Sequence, residues 1–81
     1  MRIVLGIEIN DRQEDAIKVQ SLLTEYGCGI KMRLGMHDSG EGCAASGLII
    51  LEFFPDAGKM IDELEAKLKE IASVKVGRME F

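Results

Sequence analysis

Histidine occurs once in this chain, as His37, and cysteine twice, as Cys28 and Cys43. One imidazole without a Cys-x-x-Cys pair falls short of the ligand set of a metal centre held by a single chain. The same scarcity leaves no Ser-His-Asp set and gives the histidine no obvious nucleophile to serve, so an enzyme is not expected. Basic residues are outnumbered, ten Lys and Arg against fourteen Asp and Glu, for a net charge of −4. With no positive field to draw phosphate backbones, direct nucleic-acid binding is not expected. Long apolar runs are missing as well. Ile3-Val4-Leu5-Gly6-Ile7 stops at Glu8, far short of a membrane span and with no cleavage region behind it, so a cytoplasmic location and no membrane partner are expected. Neither Gly6 nor Gly40 opens a strand-to-helix phosphate loop, and no cofactor is expected.

Periodicity is what the chain does have. Ile3, Leu5, Ile7 and Ile9 alternate with Val4, Gly6, Glu8 and Asn10, the period-two pattern of a strand with one strongly apolar face. Asn10 or Asp11 stands where a helix N-cap belongs, and Asp11 with Glu14 has capping-box spacing. Ala16, Val19, Leu23 and Tyr26 then recur at helical intervals, with Leu22 widening the stripe and Ile17 at its border. Gly27 is the natural left-handed residue to close this helix. Tyr26 reads as a packing residue with its hydroxyl at the rim.

A second alternation follows, and it divides Ile30, Met32, Leu34 and Met36 from Lys31, Arg33, Gly35 and His37. The apolar four are expected to face the helices. Asp38 to Ala44 is a run of small and turn-forming residues, and Ala45 to Phe54 reads as a strand apolar on both faces. Pro55 ends it, Asp56 is placed to cap, and Ala57, Met60, Ile61, Leu64, Leu68 and Ile71 form the stripe of a second helix. The charged side of that helix reads as a solvated face with pairs such as Glu63 to Lys67. Val74 to Phe81 is the last strand, with Gly77 as the expected site of a bulge.

The order β-α-β-β-α-β, with the middle strands joined directly, specifies an α+β fold of the ferredoxin-like type. Its four-stranded antiparallel sheet has order 4-1-3-2, with two helices on one face. The chain is expected to form one domain, residues 1–81. A domain of this size buries only about 60% of its unfolded surface, so association is a reasonable expectation. Gly47, Ile49, Leu51 and Phe53 are expected to point inward, which leaves Leu48, Ile50 and Val4 on the open face. Lys31 and Arg33 complete the expected oligomer interface, with Glu8, Ser46, Glu52 and His37 around it. Apolar residues rimmed by charge commonly serve association, and a homodimer or homotetramer is expected.

Three candidate sites remain. His37 and Cys43 could form half of a transition-metal site shared between subunits; the plainer reading is a surface histidine and an idle thiol. Gly35 and the Gly40-x-Gly42 loop could hold an anion in backbone nests, although such loops usually only turn. Arg33, on an open sheet face, needs a carboxylate partner such as Glu8 or Glu52, or a ligand. Cys28 and Cys43 lie near opposite ends of the second strand, about 25 Å apart at roughly 3.3 Å per residue, so two reduced thiols are expected.

Asp11-Arg12 at the first helix, Val19-Gln20-x-Leu22-Leu23-x-Glu25-Tyr26-Gly27, Ile30-x-x-Arg33-x-Gly35 and Gly47-Leu48-Ile49-Ile50 together resemble the small iron-only hydrogenase system regulators, stand-alone ACT-like domains of this length. The resemblance spans Ile3 to Met79. It implies an ACT-like fold, a homo-oligomer and a regulatory or sensory role near iron-only hydrogenase maturation. Because no residues remain for a DNA-binding domain, action through a partner is expected. Amino-acid-binding ACT domains carry Pro-Gly where Arg12 and Gln13 follow Asp11 here, so their binding mode is not implied. Nickel-responsive repressors have a related domain with several metal-binding histidines, which have no counterparts here beyond His37.

Two functional readings follow. A ligand-sensing oligomer would take a small-molecule effector near Asn10, Asp11, Arg12 and Gln13 or around Arg33 and Gly35. A ligand-free interaction module would instead hold a protein partner.

Overall fold

The alternation of residues 3–9 becomes strand β1 (Ile3–Ile9), whose four isoleucine and leucine positions are all buried. In the computed structural model, which describes residues 2–10, 13–37 and 47–81, it is followed by helix α1 (Gln13–Glu25), a 3-10 turn (Gly27–Gly29) and strand β2 (Ile30–His37). Strand β3 (Gly47–Phe53), helix α2 (Gly58–Lys69) and strand β4 (Val74–Glu80) complete the chain. The strands lie in the order β2-β3-β1-β4, all neighbours antiparallel, which is the ferredoxin-like arrangement.

Both helices pack on the same side of the sheet. Val19, Leu23 and Tyr26 of the α1 segment, together with Ile61, Leu64 and Leu68 of α2, meet Leu5, Ile7, Ile49, Leu51, Phe53 and Val74 in one core. Each large aliphatic side chain fully withdrawn from water there contributes about 1.5–3 kcal/mol, before the entropy of ordering is set against it. Gly47, Ile49, Leu51 and Phe53 point inward as expected, and Ile17 falls outside the stripe, largely exposed.

Gly29 allows the close approach that starts β2. A Cβ there would lie 3.2 Å from the Cβ of Ala57 and 2.5 Å from Sδ of Met60, so an added side chain requires the Met60 thioether to swing aside and Ala57 to give way slightly. Its carbonyl also accepts the Phe54 N–H at 3.0 Å, which ties the turn to the end of β3.

Four local expectations differ from what is observed. Gly27 opens a 3-10 turn and does not take the left-handed conformation. Asp56 does not cap α2: Ala57 occupies the N-cap without a side-chain bond, and its carbonyl accepts the Ile61 N–H at 2.9 Å. Lys67 reaches Glu25 on α1 and not Glu63, while the i,i+4 pair of α2 is Lys69 with Glu65 at 3.0 Å. Gly77 carries no bulge, because β4 runs in unbroken register with β1 from Glu80 to Val74.

The bulge lies instead in β2. Ile30 stands across from Phe53 but Met32 across from Glu52, so Lys31 is an extra residue with no partner. Beyond it every side chain changes face. Met32, Leu34 and Met36, expected inside, lie with Glu52, Ile50 and Leu48 on the open side. Arg33 and Gly35, expected there, lie on the helix side, across from Leu51 and Ile49.

Candidate functional site

The register of the four strands fixes the surface of the open face row by row. The first row runs Met32, Glu52, Val4, Met79 from β2 to β4; the second runs Leu34, Ile50, Gly6, Gly77; the third runs Met36, Leu48, Glu8, Lys75. Met32, Leu34, Met36 and Met79 are 43–54% exposed, while Val4, Leu48 and Ile50 are half-buried by their neighbours. Seven apolar side chains therefore form one continuous patch, bordered at one end by the Arg2–Glu52 ion pair at 3.0 Å and at the other by the facing charges of Glu8 and Lys75. Phe81, joined to Arg2 by two backbone hydrogen bonds and 73% exposed, extends it past the first row.

Relief on this face is uneven. Large side chains stand on β2 and β3, whereas in the middle row β1 and β4 present two glycines side by side. A Cβ built on Gly77 meets nothing within 4 Å, and one on Gly6 meets only Cδ1 of Ile50 at 3.9 Å. The face thus has a ridge on one half and a pit in the other.

Of the residues singled out for the interface, Val4, Leu48 and Ile50 lie on this face. Lys31 sits at the bulge and Arg33 on the opposite side, where its guanidinium donates to Oε1 of Gln20 on α1. Glu52 is taken by Arg2, so neither carboxylate proposed for Arg33 is its partner.

Of the expected ligand residues, Asn10, Arg33 and Gly35 are among those described. Asn10 donates through its backbone N–H and its Nδ2 to the carbonyl of Ser73, at 3.3 and 3.2 Å, which makes it a strut between β1 and the turn before β4. Asp11 and Arg12 lie outside the described residues, as does the Gln13 side chain. Gly35 faces open space on an edge strand. His37 pairs across from Gly47 by its backbone, whereas its side chain and all of Cys43 lie outside the described residues. Among the described residues no three His, Cys, Asp or Glu side chains converge as metal ligands. Cys28 is exposed and unpaired in the 3-10 turn.

On the helix side, a groove of about 750 Å³ runs between α1 and the end of α2 over Ile17, Leu22 and Ile71. Its charges are largely engaged. Asp15, buried at its edge, accepts a hydrogen bond from the Ser73 hydroxyl and lies 3.9 Å from Lys18. Lys67 spans Glu25 at 3.2 Å and the Tyr26 ring, whose centroid is 5.1 Å from Nζ; hydrogen bonding to Tyr26 and then to Glu25 holds its pKa above the usual lysine value.

A second cluster fastens α2 to β4. Arg78 reaches Asp62 and Glu65 at 2.8 Å and Glu80 at 3.1 Å. The Arg78 hydrogen bond lowers the Glu65 pKa, with Lys69 adding to the effect and burial opposing it. Both groups tie helix to helix or helix to sheet.

The residues that sequence reasoning missed are Met32, Leu34, Met36, Met79 and the Gly6–Gly77 pair. Their signal was weak: β2 alternates equally well in either register, and no Gly or Pro marks Lys31 as a bulge.

Among solved structures, an uncharacterized protein from Thermotoga maritima is similar to this chain with a TM-score of 0.74 and 25% identity, over 96% of this chain and 92% of that one. A formyltetrahydrofolate deformylase from Pseudomonas putida is similar with a TM-score of 0.59 and 15% identity, over 100% of this chain but only 29% of its own. No family model matches the chain, and no curated protein does. No helix among the described residues is long and apolar enough to cross a membrane.

Proposed function

We propose that this chain is a regulatory ACT-like module that works as a homo-oligomer, its open sheet face serving assembly. The observation that carries this reading is the continuous patch of Met32, Leu34, Met36, Val4, Leu48, Ile50 and Met79 on a sheet whose two described helices both lie on its other side. A ferredoxin-like sheet needs one apolar face to hold its helices. A second apolar face adds nothing to that core and carries a solubility cost unless something covers it. The fold supports a small module that transmits binding to a partner through association.

The effector reading is a small molecule taken up by the assembled protein. A thermal-shift screen over amino acids, nucleotides and divalent metal salts tests it, at a protein concentration where light scattering gives a mass above that of one chain. A specific rise in melting temperature supports a sensor; no shift with any of them, together with capture of a defined protein, supports the ligand-free module.

The place of the module beside iron-only hydrogenase maturation is part of the same proposal and rests on the residue resemblance from Ile3 to Met79. Its test is whether the tagged protein, expressed in an anaerobe that makes the hydrogenase, retains a maturation protein. Retention of none, with hydrogenase activity unchanged when the gene is deleted, would contradict it.

A further inference from the structure

We propose that the open face is occupied by a second copy of this chain, seated so that Leu34 and Ile50 of each copy fill the glycine pit of the other. This rests on the reading of the face as the assembly surface of a homo-oligomer and adds the geometry and symmetry of the contact.

The middle row reads large, large, glycine, glycine across the four strands: Leu34, Ile50, Gly6, Gly77. Turned about a two-fold axis parallel to the strands and lying between two stacked sheets, the same row reads glycine, glycine, large, large. Strand β2 of one copy then lies over β4 of the other, and β3 over β1. Leu34 comes to stand over Gly77 and Ile50 over Gly6, twice, as an isologous contact requires. A two-fold axis across the strands would set β2 on β2 and β3 on β3, ridge against ridge, and leave both pits empty. Packed sheets stand about 10 Å apart with their side chains interdigitated, so the relief selects the first arrangement.

Charge permits the same pairing. The chain carries −4 in all, but the face itself is balanced: Arg2 with Glu52 at one end, Lys75 with Glu8 at the other. The two-fold axis along the strands also brings Arg2 of each copy toward Glu52 of the other, because these residues lie on the exchanged strands β1 and β3. The same axis sets Glu8 of each copy over Leu48 of the other, where Lys75 of its own chain stands beside it to balance the charge, and a partner of strongly basic or acidic character would find no complementary field here.

The available area fits a small dimer. Four strands at about 4.8 Å and seven residues at about 3.4 Å give a face of roughly 19 by 24 Å, hence about 900 Å² for the two faces before side-chain relief is counted. Relief carries the pair to the region of about 1,000 Å² where specific interfaces begin, consistent with dissociation at accessible protein concentrations.

The test is Gly77→Val, with Gly6→Ala beside it. Neither glycine has a positive φ, and both have room for a Cβ, so a β-branched residue suits β4 and the monomer keeps its melting temperature or gains. The added methyls occupy the pit, and self-association measured by sedimentation weakens by about 10-fold or more for Gly77→Val. Gly6→Ala, the smaller change, weakens it in the same direction and serves if the valine variant folds poorly by circular dichroism. If both variants fold and dimerise as tightly as wild type, the pit is not filled and this arrangement is overturned, while assembly through another part of the surface still stands. If wild type is a single chain at every concentration, the face belongs to a different partner and both readings fall.

Discussion

Leu34 of β2 and Ile50 of β3 stand directly across from each other on the side of the sheet away from the helices. Together they form the centre of the ridge. Neither is part of the core, so the sequence carries two bulky aliphatic residues at adjoining positions where folding of one chain does not bury them fully.

Leu34→Glu separates assembly from folding. Leu34 is half exposed in the single chain, so the substitution changes its stability by no more than about 0.5 kcal/mol in urea unfolding. In the assembled state it sets a carboxylate against an apolar surface, and light scattering gives the mass of one chain. A variant that associates like wild type would remove Leu34 from the interface.

Methionines report coverage of the same face. Dilute peroxide converts exposed thioethers to sulfoxides, so Met32, Met36 and Met79 oxidise readily in dilute protein. Met60, half-buried against the core, reacts more slowly. Raising the protein concentration protects the first three, read by mass spectrometry of peptides. Equal oxidation at low and high concentration would mean that the face stays open.

Leu64→Ala addresses the core directly. Leu64 is fully buried on α2, and truncation leaves a cavity costing about 2–5 kcal/mol, a large share of the stability of so small a domain. Thermal unfolding under conditions that keep the chain monomeric measures the loss. A change below about 1 kcal/mol would show that α2 is not seated on the sheet as described.

Glu65 supplies a pH dependence of known sign. Its pKa in the folded chain is lowered, first by the Arg78 hydrogen bond, so its contribution is present above the unfolded carboxylate value and is lost as pH falls through the folded one. The gap in urea midpoint between wild type and Glu65→Gln is therefore steady near neutrality. It closes as the pH drops well below about 4.3, the ordinary glutamate value. A gap that widens in acid would contradict the pairing.

Much of this fold is written plainly in the chain. Ile3 to Ile9 and Gly47 to Phe53 alternate between residues of clearly different burial, and Val19, Leu23, Ile61, Leu64 and Leu68 fall on single helical stripes. The candidate site is less legible because it depends on β2. There Lys31 adds one residue opposite the Phe53–Glu52 step, and no side chain announces it. Alternation identifies two sets of residues but not which set faces the helices, and a sheet apolar on both sides removes the usual contrast. The Gly6–Gly77 pit is hidden for another reason: its two halves are 71 positions apart and meet only through the register of β1 with β4.

Sedimentation equilibrium of the wild-type protein from nanomolar to hundreds of micromolar decides whether the open face assembles copies of this chain. The expected mass rises with concentration from the 8.9 kDa of one chain toward twice that value, or to four chains where dimers pair. A constant 8.9 kDa across the whole range would contradict it.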